Sequence, residues 1–215
     1  MRCVILTGGT VANAQWLAGM LAQADRLICV DSGAEHAAAL GFVPQAIVGD
    51  MDSVDRSVLT NFRRQGVEIK EYPTEKNDTD TALGLAAALA YAPDEVIILG
   101  ATGTRFDHTL ANVHLLRVAL EHHVSARIIN EYNEISLVAP QQPGLVEGLP
   151  GDVFSLLPLT EKVIGVCVQG AYWPLQNAVF TIGNPYGVSN RLAGDVASIT
   201  IASGLMLLIK VTNPA

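Results

Sequence analysis

The sequence predicts an α/β fold: a mostly parallel α/β sandwich at the N-terminal end, followed by an antiparallel β-sandwich. Three observations carry this expectation. Up to about residue 130, short β-rich runs alternate with longer segments that hold Ala and Leu at helical spacing, the pattern of βαβ crossovers. From about residue 135 that helical periodicity is gone, and short apolar runs are punctuated by Gly, Pro and Asn, as in a small sandwich. Of the 215 residues, 50% are hydrophobic and only 16% charged, which excludes disorder and suits central strands covered on both faces.

Taken in order, the expected strands of the first part are "CVILT", "RLICV", "QAIVG", "VEIKEY", "EVIILG" and "ARIIN". Each is a short apolar run bounded by polar or turn residues. Between them lie "VANAQWLAGMLAQA", "GAEHAAAL", "SVLTNFRRQ", "DTALGLAAALAYA" and "HTLANVHLLRVALEHH", long enough for helices and spaced accordingly. This first domain, residues 1–138, is read as Rossmann-like. In the second, residues 139–215, the strands expected are "DVFSLLPL", "KVIGVCVQG", "NAVFTIG", "DVASITIA" and "LMLLIKV", with "ISLVA" at the junction. The segment "PQQPGLVEGLPGD", residues 140–152, reads as the loop-rich entry to it.

Charge and cysteine usage narrow the function classes. A net charge of −8 opposes nucleic-acid binding, which needs clustered Lys and Arg against phosphates, and suits a cationic small molecule or a metal ion. Cys3, Cys29 and Cys167 form an odd, widely spaced set inside apolar runs, expected to be buried thiols. Charge, Gly or Pro interrupts every apolar run short of membrane length, and "MRCVILTGG" does not read as a signal peptide. The expected compartment is the cytoplasm.

In an open parallel sheet, ligands bind beyond the carboxyl ends of the strands. Four successive loops carry acids to that edge. Asp31 follows "RLICV"; Asp50 and Asp52 follow "QAIV" in "AIVGDMDSV", residues 46–54; Asp78 and Asp80 follow "VEIKEY"; Asp107 follows "EVIILG", in "ATGTRFDHTLAN". Asp31 and Asp78 also suit helix starts, by capping and by the helix dipole. Asp50 and Asp52 lead into no apolar helix face. Converging carboxylates repel unless a cation sits among them, and Asp oxygens are what Mg²⁺ selects, so the set predicts Mg²⁺ and, with it, phosphate chemistry. There is no G-x-x-x-x-G-K-[ST], which excludes a P-loop enzyme. "TGGTVAN" lacks dinucleotide spacing, whereas "GATGTR" offers backbone amides at Gly100 and Gly103 and a charged fork at Arg105 for an anion. His108 reads as helix-start solvation, and the other histidines have no acid or Cys partner at ligand spacing.

Together, "DSG" at 31–33, "GDMDS" at 49–53, "EKNDTD" at 75–80, "GATGTRFDHTLAN" at 100–112 and "GVSN" at 187–190 resemble, in that order, the motifs of the thiamin pyrophosphokinase family. The resemblance implies transfer of a pyrophosphoryl group from ATP to the hydroxyl of thiamin, giving thiamin pyrophosphate and AMP. It also implies Mg²⁺, ATP as co-substrate, and a homodimer with the site shared across the interface. Carried over by position, Asp50, Asp52 and Asp80 match the Mg²⁺-associated acids. Asp31, Asp80 and Asp107 match residues of the reaction site, and Gly103, Arg105 and Asn112 the nucleotide site. Trp173, Ser189 and Asn190 match the thiamin surface. An indole face against a cationic thiazolium is physically apt.

Asn77, Thr104 and Arg191 depart from the residues usual at their positions: Asn77 stands where an acid is usual and bears on the metal or nucleotide contacts of its loop, while Thr104 and Arg191 bear on affinity more than on reaction type. Of the acids, Asp80 and Asp107 are the expected proton acceptors. Two alternatives stand beside this reading: a Mg²⁺-dependent nucleotide phosphohydrolase, and a non-catalytic nucleotide- or thiamin-binding module.

Overall fold

A computed structural model describes residues 1–212. The chain divides into two compact units, Met1–Glu131 and a second that begins at Tyr132. The expected boundary between 138 and 139 falls later, because the run "NEISLV" pairs with the last strand of the chain and so belongs to the second unit.

The first unit runs β1 (Arg2–Leu6), α1 (Ala14–Leu21), β2 (Arg26–Val30), α2 (Gly33–Ala39), β3 (Ala46–Gly49), α3 (Arg56–Arg64), β4 (Glu68–Glu71), α4 (Asp80–Leu89), β5 (Glu95–Leu99), α5 (Phe106–Glu121) and β6 (Ser125–Ile129). All six strands are parallel, in the order β6-β5-β1-β2-β3-β4. The chain steps outward from β1 to β4, then returns through α4 to place β5 on the other side of β1. Strand order therefore reverses between β1 and β5, and that reversal opens a crevice at the carboxyl edge.

The inner strands β1, β2, β3 and β5 are mostly apolar because both faces are covered, whereas the edge strand β4, "EIKE", is not. On one face Val4, Leu6, Cys29, Ile47 and Leu99 pack with Leu17 and Leu21 of α1, Ala34 and Ala37 of α2, and Leu59 and Phe62 of α3. Each large side chain so buried contributes about 1.5–3 kcal/mol. Helix α4 lies against β1, β2 and β3, and α5 against β6. A side chain at Gly84 of α4 would meet Val30 Cγ2 at 2.5 Å, so glycine lets this helix sit close to the sheet. Helix starts are capped locally: Asn13 accepts from Trp16 N at 2.9 Å, Asp55 from Ser57 N at 2.6 Å and Thr79 from Ala82 N at 3.2 Å.

At the amino edge of this sheet the charges are paired. Glu95, on the central strand β5, accepts from Arg2 Nε at 2.7 Å and pairs with Arg127 of β6. Burial alone would raise its pKa, but the two guanidinium groups outweigh burial and hold it below the ordinary value. Asp94 pairs with the N-terminal ammonium.

The second unit runs β7 (Asn133–Val138), β8 (Gly144–Glu147), β9 (Val153–Pro158), β10 (Lys162–Gln169), β11 (Leu175–Thr181), β12 (Gly187–Arg191), β13 (Val196–Thr200) and β14 (Met206–Val211). Its strands form two antiparallel layers, β12-β9-β14-β7 and β11-β10-β13-β8. Phe154, Leu156, Met206 and Leu208 from the first layer meet Val163, Val166, Phe180 and Ile199 from the second in one core, as in a sandwich. Strand β8 lies inside the segment read as an entry loop. Its four residues alternate buried and exposed, and pairing with β13 orders them despite the flanking Pro and Gly. The motif "GVSN" likewise lies in β12, beside β9.

The three cysteines are free, with Cys3 and Cys29 buried as expected and Cys167 half-buried. Burial pushes the Cys3 thiol up to about 11. No helix among the described residues is long and apolar enough to cross a membrane.

Candidate active site

The crevice at the switch point is a cleft of about 480 Å³. It is lined by the turn after β1 (Thr7, Gly8, Gly9, Thr10), by Asp31 and Ser32 after β2, by Asp80 at the start of α4, and by Gly100 to Arg105 after β5, with His108, Thr109 and Asn112 of α5. The turns interlock at close backbone contact. A Cβ on Gly9 would lie 1.9 Å from the Gly100 carbonyl oxygen, so these two turns meet only because Gly9 has no side chain. Such a wall presents backbone amides and hydroxyls, the groups that receive phosphate oxygens.

Asp31 enters the cleft by an unusual backbone path. It adopts φ 46°, a left-handed conformation that Asp tolerates better than most residues, and its Oδ1 accepts from Met51 N at 3.4 Å. Its carboxylate fills the space beside Gly49, where a Cβ would sit 1.8 Å from Oδ1. Burial, then the Asp80 charge, then that of Asp50, push its pKa up to about 6 against the opposing Met51 amide.

Asp50 and Asp80 meet through a lysine. Lys76 Nζ lies 2.9 Å from Asp80 Oδ1 and 3.8 Å from Asp50 Oδ2, and donates to the Pro73 carbonyl at 3.1 Å. Asp80 Oδ1 is buried, and its partner is the Lys76 ammonium at 2.9 Å, without well-aligned hydrogen-bond geometry. Asp52 is exposed: Thr74 Oγ1 donates to its Oδ2 at 3.2 Å, while its own amide donates to Asp50 Oδ1 at 3.1 Å. No ready-made cage of three acids exists among the described residues. The donor set nevertheless fits Mg²⁺: only hard oxygens converge, one is buried without an aligned donor, and a cationic group already lies among them. Asp78 is exposed, and Thr79, not Asp78, caps α4.

Arg105 and Asp107 engage each other. Arg105 Nε and a terminal nitrogen donate to the two Asp107 oxygens at 2.9 and 2.6 Å, a bidentate fork between exposed side chains. That hydrogen-bonded partner holds Asp107 far below the usual carboxylate range, a state unsuited to accepting a proton. Arg105 lines the cleft, whereas Asp107 is absent from its wall. Gly103 is open to the cleft and its amide donates to Thr109 Oγ1 at 3.2 Å. Asn112 is buried, and its Nδ2 fixes the loop by donating to the Ala101 carbonyl at 2.8 Å.

In the second unit, Trp173 is 56% exposed and packs edge-on to Tyr172, centroids 5.6 Å apart. With Arg191 and Leu192 they border a hollow of about 550 Å³. Asn190 is buried beneath, accepting from Trp173 N at 3.2 Å and donating to the Trp173 carbonyl at 2.9 Å. It positions the aromatic pair. Ser189 sits at φ 63° with its amide donating to Ser155 Oγ at 3.0 Å. Sequence reasoning singled out neither Tyr172 nor Lys76. Tyr172 adjoins Trp173, and Lys76 stands four residues before Asp80, the spacing of an ion pair on one helical turn.

A parallel sheet whose switch-point cleft combines glycine turns with acids from successive βα loops has the form of a nucleotide site. The comparisons are more specific. The chain matches the model "Thiamin pyrophosphokinase, catalytic domain" over residues 17–128 and "Thiamin pyrophosphokinase, vitamin B1 binding domain" over residues 136–206. With more than half of it so matched, the chain belongs to the thiamin pyrophosphokinase family. It is 28% identical over 208 residues to the thiamine pyrophosphokinase of Bacillus subtilis (strain 168), covering 97% of this chain and 92% of that one. The crystal structure of thiamine pyrophosphokinase from Bacillus subtilis superposes with a TM-score of 0.89 at 26% identity, with 100% of both chains covered. That of a thiamin pyrophosphokinase family protein from Enterococcus faecalis gives 0.83 at 27% identity, again with 100% of both chains covered.

Proposed function

We infer that this chain transfers a pyrophosphoryl group from ATP to the hydroxyl of thiamin, giving thiamin pyrophosphate and AMP. The observation that carries this reading is the switch-point cleft, where acids from separate βα loops face a glycine-lined wall in a chain matched by both family models.

Asp50, Asp52 and Asp80 would hold Mg²⁺, which when bound neutralises phosphate charge. The chain's own groups do the rest by position. Backbone amides of the turns after β1 and β5 orient the phosphates. Arg105 exchanges Asp107 for a phosphate oxygen, since a guanidinium fork suits either partner. Proton acceptance from the thiamin hydroxyl falls to Asp31. Of the three reaction-site acids, Asp107 is absent from the cleft wall and Asp80 is committed to the cation, while Asp31 lines the cleft.

Thiamin recognition is assigned to Trp173 with Ser189 and Asn190, the indole face meeting the thiazolium. The nucleotide and thiamin residues lie in separate units of the chain, which favours a homodimer in which one subunit gives the phosphate loops and the other the thiamin surface. The enzyme works in the cytoplasm.

Separation of the nucleotides after a single turnover with ATP, Mg²⁺ and thiamin tests the reaction. AMP and thiamin pyrophosphate in equal amounts are expected. ADP with thiamin monophosphate would assign a different transfer, and phosphate released from ATP without thiamin would make the chain a phosphohydrolase.

A further inference from the structure

Lys76 occupies a position that the reaction as described leaves unexplained. Its side chain is only 13% exposed, and it lies between two acids that are themselves 17% and 26% exposed, Asp50 and Asp80. A lysine this enclosed normally belongs to a fixed ion pair. Here the pairing is incomplete on the acid side. Asp80 Oδ1 is buried and lacks an aligned donor, and Asp50 Oδ2 is 3.8 Å from the ammonium, beyond hydrogen-bond distance. The Asp31 carboxylate also acts on Lys76 electrostatically. One ammonium therefore serves several carboxylates, close to Asp80, distant from Asp50 and acting on Asp31 only through its charge. Left alone, those carboxylates would repel one another.

The loop that carries Lys76 suits release rather than permanence. Residues 73–79 connect β4 to α4 without regular secondary structure, and apart from Lys76 they are exposed. The stem of a lysine is flexible and its ammonium a point charge, able to exchange one oxygen partner for another. The cleft that receives phosphates is lined by Asp80 itself, so a displaced ammonium has an anion within reach of the same loop.

We propose that Lys76 is an internal stand-in for the divalent cation: it holds the acids together in the ligand-free enzyme, competes with the metal for Asp50 and Asp80, and on displacement turns to the nucleotide phosphates. This rests on the reading that those acids bind the metal. It predicts an enzyme whose metal affinity is low until nucleotide is present, because only then does the displaced ammonium gain a new partner.

The test uses Lys76→Met, which keeps the length and removes the charge, with Lys76→Gln as a second variant and circular dichroism to verify folding. Mn²⁺ binding without nucleotide is read from the electron paramagnetic resonance signal of the free ion. Both variants are expected to bind Mn²⁺ at least about tenfold more tightly than the wild type. They are also expected to melt at a lower temperature than the wild type in EDTA and to recover in saturating Mg²⁺. Equal Mn²⁺ affinity in wild type and variants would overturn the competition while leaving the metal site in place. No Mn²⁺ binding by any of the three, even with nucleotide, would overturn both readings.

Discussion

The two edges of the parallel sheet are built from the same strands and handle charge in opposite ways. At the amino edge, Glu95 is held between Arg2 and Arg127 across three neighbouring strands, and its pKa is drawn down. At the carboxyl edge, Asp31, Asp50 and Asp80 approach one another with only Lys76 among them, and the pKa of Asp31 is driven up to about 6. One edge has its charges matched in the resting protein. The other carries an excess of negative charge that Lys76 only partly offsets, and a further cation would relieve it. On the function proposed above, stability and binding fall to opposite ends of the same strands, and each end can be altered separately.

The largest effect is expected at the carboxyl edge. Asp80→Asn should lower turnover by about a hundredfold to a thousandfold, since charge placement is the main source of catalysis in such a site. Its melting temperature in EDTA should stay close to that of the wild type. A melting temperature that collapsed along with activity would show that the edge is structural after all.

Glu95→Gln should do the reverse, leaving kcat unchanged while destabilising the fold by about 1–2 kcal/mol at neutral pH, a partly exposed pair being discounted for solvent screening. The pKa of Glu95 in the folded state lies below its ordinary value of 4.5. Its contribution is therefore present above that pH and lost as pH falls through the folded value. Denaturation curves of the two proteins should separate at neutral pH and converge in acid.

The sharpest test of the comparison, through a stability change smaller than that at Glu95, is at Asp31. Its folded pKa is raised from 3.8 to about 6, so its ionised form weakens the folded state as pH rises through that interval. Asp31→Asn keeps a residue suited to φ 46° and removes the charge. It should gain up to about 1 kcal/mol of stability in metal-free buffer above neutral pH, after allowance for screening, while losing activity. Equal stability of the two proteins across that pH range would mean that Asp31 carries no electrostatic burden.

Much of this organisation is legible in the chain itself. The inner parallel strands are apolar runs because both faces are covered, and a run such as "EVIIL" needs no knowledge of its neighbours to be read as buried. The approach of acids to one edge follows from their recurrence after successive strands. Relations between loops were not legible. Gly49 makes room for the Asp31 carboxylate, but Gly49 ends β3 while Asp31 follows β2, and only the register of β2 beside β3 brings them together. Lys76 stands in a conspicuously acidic motif, yet its direction is set by how the loop before α4 folds. The Arg105 and Asp107 fork is two residues long in sequence, but spacing alone does not reveal that the two groups face each other. Strand β8 was hidden for a different reason: its four residues are too few to show a period, and their order comes from β13.

On the proposed function, the carboxyl edge is strained by its own negative charge until a divalent cation binds there. Thermal melting of the wild type and of Asp80→Asn, each in EDTA and in saturating Mg²⁺, addresses it most directly, because a ligand that binds only the folded state raises the melting temperature. Mg²⁺ should raise the melting temperature of the wild type by several degrees and leave that of Asp80→Asn almost unmoved. An equal shift in both proteins, or none in the wild type, would contradict it.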